Sequence, residues 1–290
     1  MTNTLRLRLA RKDILLAPGI YDALTALLAA QAGAEAVYVS GANIAYTRLG
    51  RPDIGLVAMT EVAEVVALVR DRVPLPIIVD ADNGFGNALN VQRTVRMFER
   101  AGASAIQLED QVMPKRCGHL AGKALISSSE MVGKIRAAVD ARHDEATMII
   151  GRTDAVAVEG FDAALERAAR FAEAGADVIF VEAPESIGQM RRIVSTLGAV
   201  PLLANMVEGG RTPILRTEEL QDIGYRIAIF PGGTVRALAH AMRAYFASLV
   251  KTGSTAAFRP QMLDLAGIND VLGTSGLLDQ GKIYEGTSNS

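Results

Sequence analysis

The 290-residue chain has one cysteine, no tryptophan and three histidines. A single cysteine excludes an intrachain disulfide framework and favours a reducing compartment. The histidines, at 119, 143 and 240, are too scattered for a zinc-type cluster. Excess positive charge is also lacking: Lys plus Arg is 30 against 32 for Asp plus Glu, a formal charge of −2. No nucleic acid partner is expected from that balance. No stretch reaches the ~20 apolar residues of a membrane span, and the opening MTNTLRLRLARKD has no signal-type core. With 50% hydrophobic and 21% charged residues, the composition is not that of a disordered chain. These absences point to a cytoplasmic globular protein without a membrane partner.

What the chain does have is a repeating unit. Short apolar runs recur at 15–20, 36–41, 76–82, 105–110, 148–154, 178–183, 201–206 and 226–232, each bounded by Gly, Pro, Asp or Asn. Most are continuous rather than alternating, the pattern of parallel strands covered on both faces. Amphipathic stretches lie between them. Helices are predicted over 22–32, from Thr60, over 91–101, 128–142, from an Asp162 cap to Ala174, over 186–198, 217–224 and 234–250. Three helix ends share a phrase, QAGAEAVYV, RAGASAIQL and EAGADVIFV, in which glycine closes a helix just before a strand. Eight such units predict an α/β (β/α)8 TIM-type barrel in one domain over 1–290, with extra C-terminal helices at about 255–285. An open doubly wound sheet is the rival, but no GxGxxG follows the first strand.

In a barrel the chemistry gathers where the strands end at their C-terminal side. Those ends carry Ser40-Gly41, Asp80-Ala81-Asp82, Glu109-Asp110, Arg152-Thr153-Asp154, Glu182, Asn205 and Gly232-Gly233. Asp80 and Asp82, two apart on an extended chain, face the same way, and Glu109 can join them from the next strand. Three converging carboxylates repel unless a cation compensates, and hard oxygen ligands suit Mg2+ or Mn2+. The long loop after strand four carries Lys115-Arg116-Cys117-Gly118-His119. Two cations and a histidine beside a thiol favour its thiolate, and a loop of this length suits a lid. Arg152 offers a two-pronged grip on a carboxylate. Asn205 can donate and accept at once.

Taken in order, YVSG (38–41), LGRPDIG (49–55), DADNGFGN (80–87), QLEDQVMPKRCGH (107–119), GRTDA (151–155), VEA (181–183) and LANMVEGGRTP (203–213) resemble the isocitrate lyase and phosphoenolpyruvate mutase superfamily. KRCGH is similar to the signature of its carbon–carbon lyases, which include the 2-methylisocitrate and 2,3-dimethylmalate types, and of carboxyphosphonoenolpyruvate mutases. The resemblance implies a Mg2+ enzyme and a homotetramer with exchanged C-terminal helices. It implies that Asp80 binds the metal directly, with Asp53, Asp82 and Glu109 acting largely through water. Tyr38, Ser40, Gly41 and Ala42, with Arg152, would hold a pyruvate-like end. Cys117 would give a proton to the enolate carbon. Glu182, Asn205, Arg116, Gly118 and His119 would hold the rest of a small dicarboxylate. The expected reaction is cleavage of a 2-hydroxy dicarboxylate to an α-keto acid and a second acid. The alternative is a carboxyphosphonoenolpyruvate mutase or an oxaloacetate decarboxylase or hydrolase on the same scaffold. The pair Gly232-Gly233 takes side chains away from the pocket floor, and Leu120 follows His119 where some methylisocitrate lyases have Arg. Both favour a smaller, more apolar acid of the dimethylmalate kind.

Overall fold

The computed structural model describes residues 4–118 and 122–284. The chain forms two compact units, Met1–Val235 and Arg236–Ser290.

Among the described residues, the first unit holds eight strands: β1 (Leu15–Ile20), β2 (Val37–Val39), β3 (Ile77–Asp80), β4 (Ala105–Glu109), β5 (Met148–Thr153), β6 (Val178–Val181), β7 (Leu203–Asn205) and β8 (Ile227–Phe230). Neighbours pair in parallel, in the order β6-β5-β4-β3-β2-β1-β8-β7. A parallel bridge between Ile179 and Leu202 links β6 to the entry of β7 and brings the sheet round into a barrel. Every predicted apolar run thus contains a strand. The reason is burial: strands covered by helices outside and by side chains inside have no polar face to alternate.

Period-two alternation sorts each strand into two sets. Leu15, Ala17, Tyr38, Ile78, Ala105, Ile150, Phe180, Leu203 and Ile229 belong to one cluster inside the barrel, whereas Val37, Val79, Ile106, Ile149 and Ile179 join the cluster beneath the helices. Continuing the inner phase to the strand ends gives Asp80, Glu109, Arg152, Glu182 and Asn205. The apolar filling therefore gives way to charge at one mouth. At the other mouth a short helix, α1 (Thr4–Leu9), puts Leu5 and Leu9 into the inner cluster as a plug. The sequence reading gave this segment no role.

Seven further helices follow the strands at or near their predicted places: α2 (Ala23–Gln31), α4 (Met59–Arg72), α5 (Ala88–Ala101), α6 (Ser128–Ala141), α7 (Phe161–Glu173), α8 (Ile187–Leu197) and α9 (Thr217–Ile223). An additional turn, α3 (Gly41–Ile44), runs straight into a π-helical segment, Ala45–Leu49. Two starts differ from expectation. Helix α4 begins after Ala58, whose N–H is taken by the Glu61 carboxylate at 2.8 Å, rather than at Thr60. Helix α7 begins after Gly160 with no side-chain cap, so Asp162 lies inside its first turn. There its charge favours the helix N-terminus without capping it.

Strands β1 and β8 approach very closely at the charged mouth. A Cβ added to Gly19 would lie 2.2 Å from the Pro231 carbonyl oxygen. Backbone cannot yield as a flexible side-chain tip can, so Gly19→Ala is expected to destabilise by about 1–3 kcal/mol. Urea unfolding should show a lower midpoint with an unchanged slope.

The second unit is helical. It takes most of α10 (Gly233–Thr252), then α11 (Leu265–Leu272) and α12 (Thr274–Tyr284). Tyr245 and Phe258 meet edge to face with ring centres 5.5 Å apart. No helix of the described residues is long and apolar enough to cross a membrane.

Candidate active site

The charged mouth encloses one small cavity. Its walls are Tyr38, Ser40, Ala42, Asp53, Asp80, Glu109, Lys115, Arg116, Cys117, Gly118, Arg152, Glu182, Asn205, Val207 and Pro231. Each strand-end residue arrives by the phase rule above, and the loop after β4 supplies residues 115–118. The free space is about 50 Å³. That is far below the ~300–1,000 Å³ of pockets for drug-sized ligands, so the cavity suits a very small molecule.

Lys115 is buried at the centre of the acids. Its Nζ lies 2.6 Å from Oδ1 of both Asp53 and Asp82. Burial alone would lower its pKa, but Asp82, Asp53, Asp80 and Glu109 prevail and hold it well above the ordinary lysine range. The surrounding acids favour its ammonium form. Burial pushes Asp82 up to about 7 despite the pull of Lys115, with Asp80 and Asp53 adding to the rise. Burial likewise lifts Glu109 well above the carboxylate range, against the pull of Arg152.

Asp82 does not reach this cluster by strand alternation. Strand β3 ends at Asp80, and Asp82 has φ 46°. The turn is held by the Asp82 N–H on Asp80 Oδ1 at 3.1 Å. Both carboxylates nonetheless face Gly41, where an added Cβ would lie 3.4 Å from Asp80 Oδ2 and 3.5 Å from Asp82 Oδ1. Asp80 Oδ1 also accepts from Gln107 Nε2 at 3.2 Å, and Gln107 Oε1 accepts the Tyr38 hydroxyl at 2.9 Å. Ser40 uses its hydroxyl to accept the Asn43 N–H at 3.3 Å, starting α3.

Arg152 fills the opposite wall. Its Nε lies 3.2 Å from Glu109 Oε2 and 2.9 Å from Asp154 Oδ2, and Nη2 lies 3.1 Å from Glu182 Oε2. Its guanidinium carbon sits 4.9 Å from the centre of the Phe180 ring. Burial disfavours the charge, but Asp154, Glu109 and Glu182 hold it well above the ordinary arginine range. Asp154 is itself buried, yet Arg152 and Lys123 bring it down to about 2. Glu182 Oε2 accepts from Asn205 Nδ2 at 3.0 Å, which leaves Asn205 Oδ1 with no hydrogen-bond partner.

Cys117 is half-buried and shares the cavity wall with Asp80. Its N–H donates to the Asp53 carbonyl at 3.3 Å. Next to it, Gly118 leaves no room for a side chain: an added Cβ would lie 2.5 Å from Arg152 Nη2 and 2.8 Å from Glu182 Cγ. Of the residues singled out in the sequence, Asp82 is not among the walls but pairs with the wall residue Lys115, and Gly41 packs under the two aspartates. Gly232 is not among the walls; its neighbour Pro231 is. His119 and Leu120 lie outside the described residues. Lys115, Val207 and Pro231 had not been singled out as site residues. For Lys115 the only signal was a lysine in a loop already suspected of chemistry, and its acids are distant in sequence.

The fold and mouth define an enzyme class: a (β/α)8 barrel with an acid-rich cavity closed by a thiol-bearing loop. The chain belongs to the phosphoenolpyruvate phosphomutase family, whose model matches residues 5–250. It is an enzyme of the wider isocitrate lyase and phosphoenolpyruvate mutase superfamily. It is 46% identical over 265 residues to a 2,3-dimethylmalate lyase of Eubacterium barkeri, covering 91% of each chain. It is 48% identical over 272 residues to a 2-methylisocitrate lyase of Aeropyrum pernix, covering 92% of this chain and 87% of that one. A solved oxaloacetate acetylhydrolase, bound to the inhibitor 3,3-difluorooxalacetate, superposes with a TM-score of 0.92 at 31% identity. That match covers 99% of this chain and 98% of the other.

Proposed function

We propose that the chain is a Mg2+-dependent carbon–carbon lyase that cleaves a substituted 2-hydroxy dicarboxylate of the dimethylmalate or methylisocitrate kind. The observation that carries this reading is the placement of Cys117 in one small cavity with Asp80, Glu109 and Arg152. The lyase names of the relatives described above support the reaction type.

The residues present fit a hard divalent ion. Asp53, Asp80, Asp82, Glu109, Asp154 and Glu182 bring six carboxylates, against three buried cationic side chains, Lys115, Lys123 and Arg152. Glu109 Oε1 makes no hydrogen bond, and Asp82 Oδ1 is met by Lys115 at 2.6 Å. No three of the acids among the described residues form a ready-made cage. As the family resemblance implies, Asp80 would be the direct ligand, with Asp53, Asp82 and Glu109 acting through water, which agrees with the habit of Mg2+; Mn2+ would also serve. When bound, the ion stabilises negative charge on substrate oxygens.

Arg152, with Tyr38, Ser40, Gly41 and Ala42, holds the keto-acid end. A carboxylate of the cavity wall takes the 2-hydroxyl proton, and the Arg152 guanidinium stabilises the charge that the oxygen gains. The C2–C3 bond then breaks, C2 becomes the keto carbon, and its electron pair leaves with C3 as an enolate of the second acid. Cys117 gives its thiol proton to that carbon, which closes the reaction. Glu182, Asn205, Arg116, Gly118 and His119 hold the departing half. Val207 and Pro231 supply apolar wall to the cavity, which favours apolar substituents over a third carboxylate. A thiol with this duty suits the reducing cytoplasm.

The protein in this reading is a homotetramer with exchanged C-terminal helices. Support comes from each unit separately. The helical unit exposes Met242, Phe246 and Val250 at helical spacing. The barrel unit carries an apolar groove lined by Ile14, Leu16, Pro18, Leu28 and Ala29. Exposed apolar surface of this kind marks an interface.

The test is a screen of 2-hydroxy and 2-keto diacids for release of an α-keto acid. Activity is expected only with Mg2+ or Mn2+, abolished by EDTA and restored by added metal. Keto-acid release unaffected by EDTA would end the metal-dependent reading. The superposition on an oxaloacetate acetylhydrolase favours a second reading, cleavage or decarboxylation of oxaloacetate, which the oxaloacetate arm of the screen detects. Phosphorus NMR on candidate phosphonates detects a carboxyphosphonoenolpyruvate mutase.

A further inference from the structure

We propose that Lys123 is a positioning residue that fixes the Cys117–Gly118 peptide over the cavity by clasping it to Asp154. The inference rests on the lyase reading for its catalytic consequence, but the geometry stands by itself. Lys123 Nζ donates to the Gly118 carbonyl and, at 2.9 Å, to Asp154 Oδ1. The side chain is 2% exposed and Asp154 is fully buried. One ammonium therefore joins the thiol-bearing stretch to the end of β5.

Asp154 is a shared anchor. It accepts from Arg152 Nε at 2.9 Å and from Nη2 at 3.2 Å while it holds Lys123. Gly118 lies against Arg152 and Glu182 so tightly that no Cβ fits. Lys123 thus presses Gly118 onto the same arginine that Asp154 orients. The two sides of Cys117 are held differently. On its N-terminal side, the Asp53 carbonyl takes its N–H at 3.3 Å. Further upstream, Gln111 holds Arg116 by two bonds, Nε2 to its carbonyl at 2.8 Å and its N–H to Oε1 at 3.0 Å. On the C-terminal side, the Gly118 carbonyl is held by Lys123. A proton donor must sit within about 3 Å of the carbon it serves, and a shift near 1 Å can cost about a hundredfold in rate. Removing the clasp frees the Gly118 side of the thiol and leaves Arg152, Tyr38 and Ser40 at the keto-acid end in place.

The experiment uses the full chain and Lys123→Met, which keeps much of the length and apolar bulk but loses the charge. Asp154 retains Arg152, so the fold is expected to survive. Cys117 is the only cysteine in the sequence, so iodoacetamide labelling read by mass spectrometry reports on it alone. Labelling is expected to run about tenfold faster than in the wild type, in line with a freed peptide. The kcat on the substrate found by the screen should fall by about a hundredfold, with KM nearly unchanged. Lys123→Arg keeps a cation for Asp154 and should fall between the two; it carries the same test if Lys123→Met does not fold. Wild-type labelling rates in a folded variant would overturn the proposal, as would a loss confined to KM. A wild-type chain inactive on every diacid would instead end the lyase reading, and the labelling series would still decide the role of Lys123.

Discussion

Arg152→Lys is expected to lower kcat/KM by roughly 10²–10³ while the protein remains folded, a loss of about 2.7–4 kcal/mol of transition-state stabilisation. Arg152 meets Glu109, Asp154 and Glu182 at once, at 3.2, 2.9 and 3.1 Å. A planar fork can reach three partners in fixed directions; an ammonium is a single point on a flexible stem. Lysine keeps the charge that holds three buried carboxylates together, so the fold should tolerate it. Arg152→Met removes that charge and should cost about 3–5 kcal/mol of stability, because buried acids are left uncompensated. Steady-state kinetics beside urea unfolding separate these outcomes. A lysine variant within tenfold of wild-type kcat/KM would reduce Arg152 to scaffolding. A methionine variant as stable as the wild type would mean that the acids find other partners.

The pair of variants also shows what was legible in the sequence. Arg152 was visible because GRTD ends a continuous apolar run at the C-terminal end of a barrel strand, where chemistry gathers, although the same position also serves the ion pairs with Asp154 and Glu182. The eight strands were legible for a related reason: burial on both faces writes itself as uninterrupted Val, Ile and Leu. Helix α1 was not. TLRLRL reads as mixed charge and apolar residues, and its meaning appears only when Leu5 and Leu9 enter the barrel from below. Asp82 was expected beside Asp80 through strand alternation, but its φ of 46° places it in a turn, and a single sequence gives no such angle. Lys115 illustrates the largest gap. Its partners Asp53 and Asp82 are far away in the chain, so no local pattern marks it as the cation among the acids. Gly232 was expected on the pocket floor, but Pro231 reaches the cavity. Its carbonyl is held by Asn43 Nδ2 at 2.6 Å, a contact that joins two loops remote in sequence.

Cys117→Ser should reduce kcat by about 10²–10⁴ and leave metal binding and the fold intact. The exchange is nearly isosteric, and the side chain is only half-buried, so packing is little disturbed. What changes is acidity. A serine hydroxyl is a far weaker acid than a thiol and cannot readily give up a proton to a carbanion at neutral pH. If the thiol is the proton donor, bond cleavage stalls at the enolate and favours return to substrate. KM should then stay near the wild-type value, since the groups proposed for the keto-acid end, Arg152, Tyr38 and Ser40, are unchanged. The proposed metal site offers an internal control. Asp80→Asn should abolish activity by weakening Mg2+ binding, and its loss should be partly recovered at high Mg2+. No metal concentration should rescue Cys117→Ser. A serine variant with wild-type kcat would move the proton donor elsewhere in the cavity. A serine variant rescued by excess Mg2+ would instead show that the loop carrying Cys117 acts through the metal site, because only a defect in ion binding responds to ion concentration.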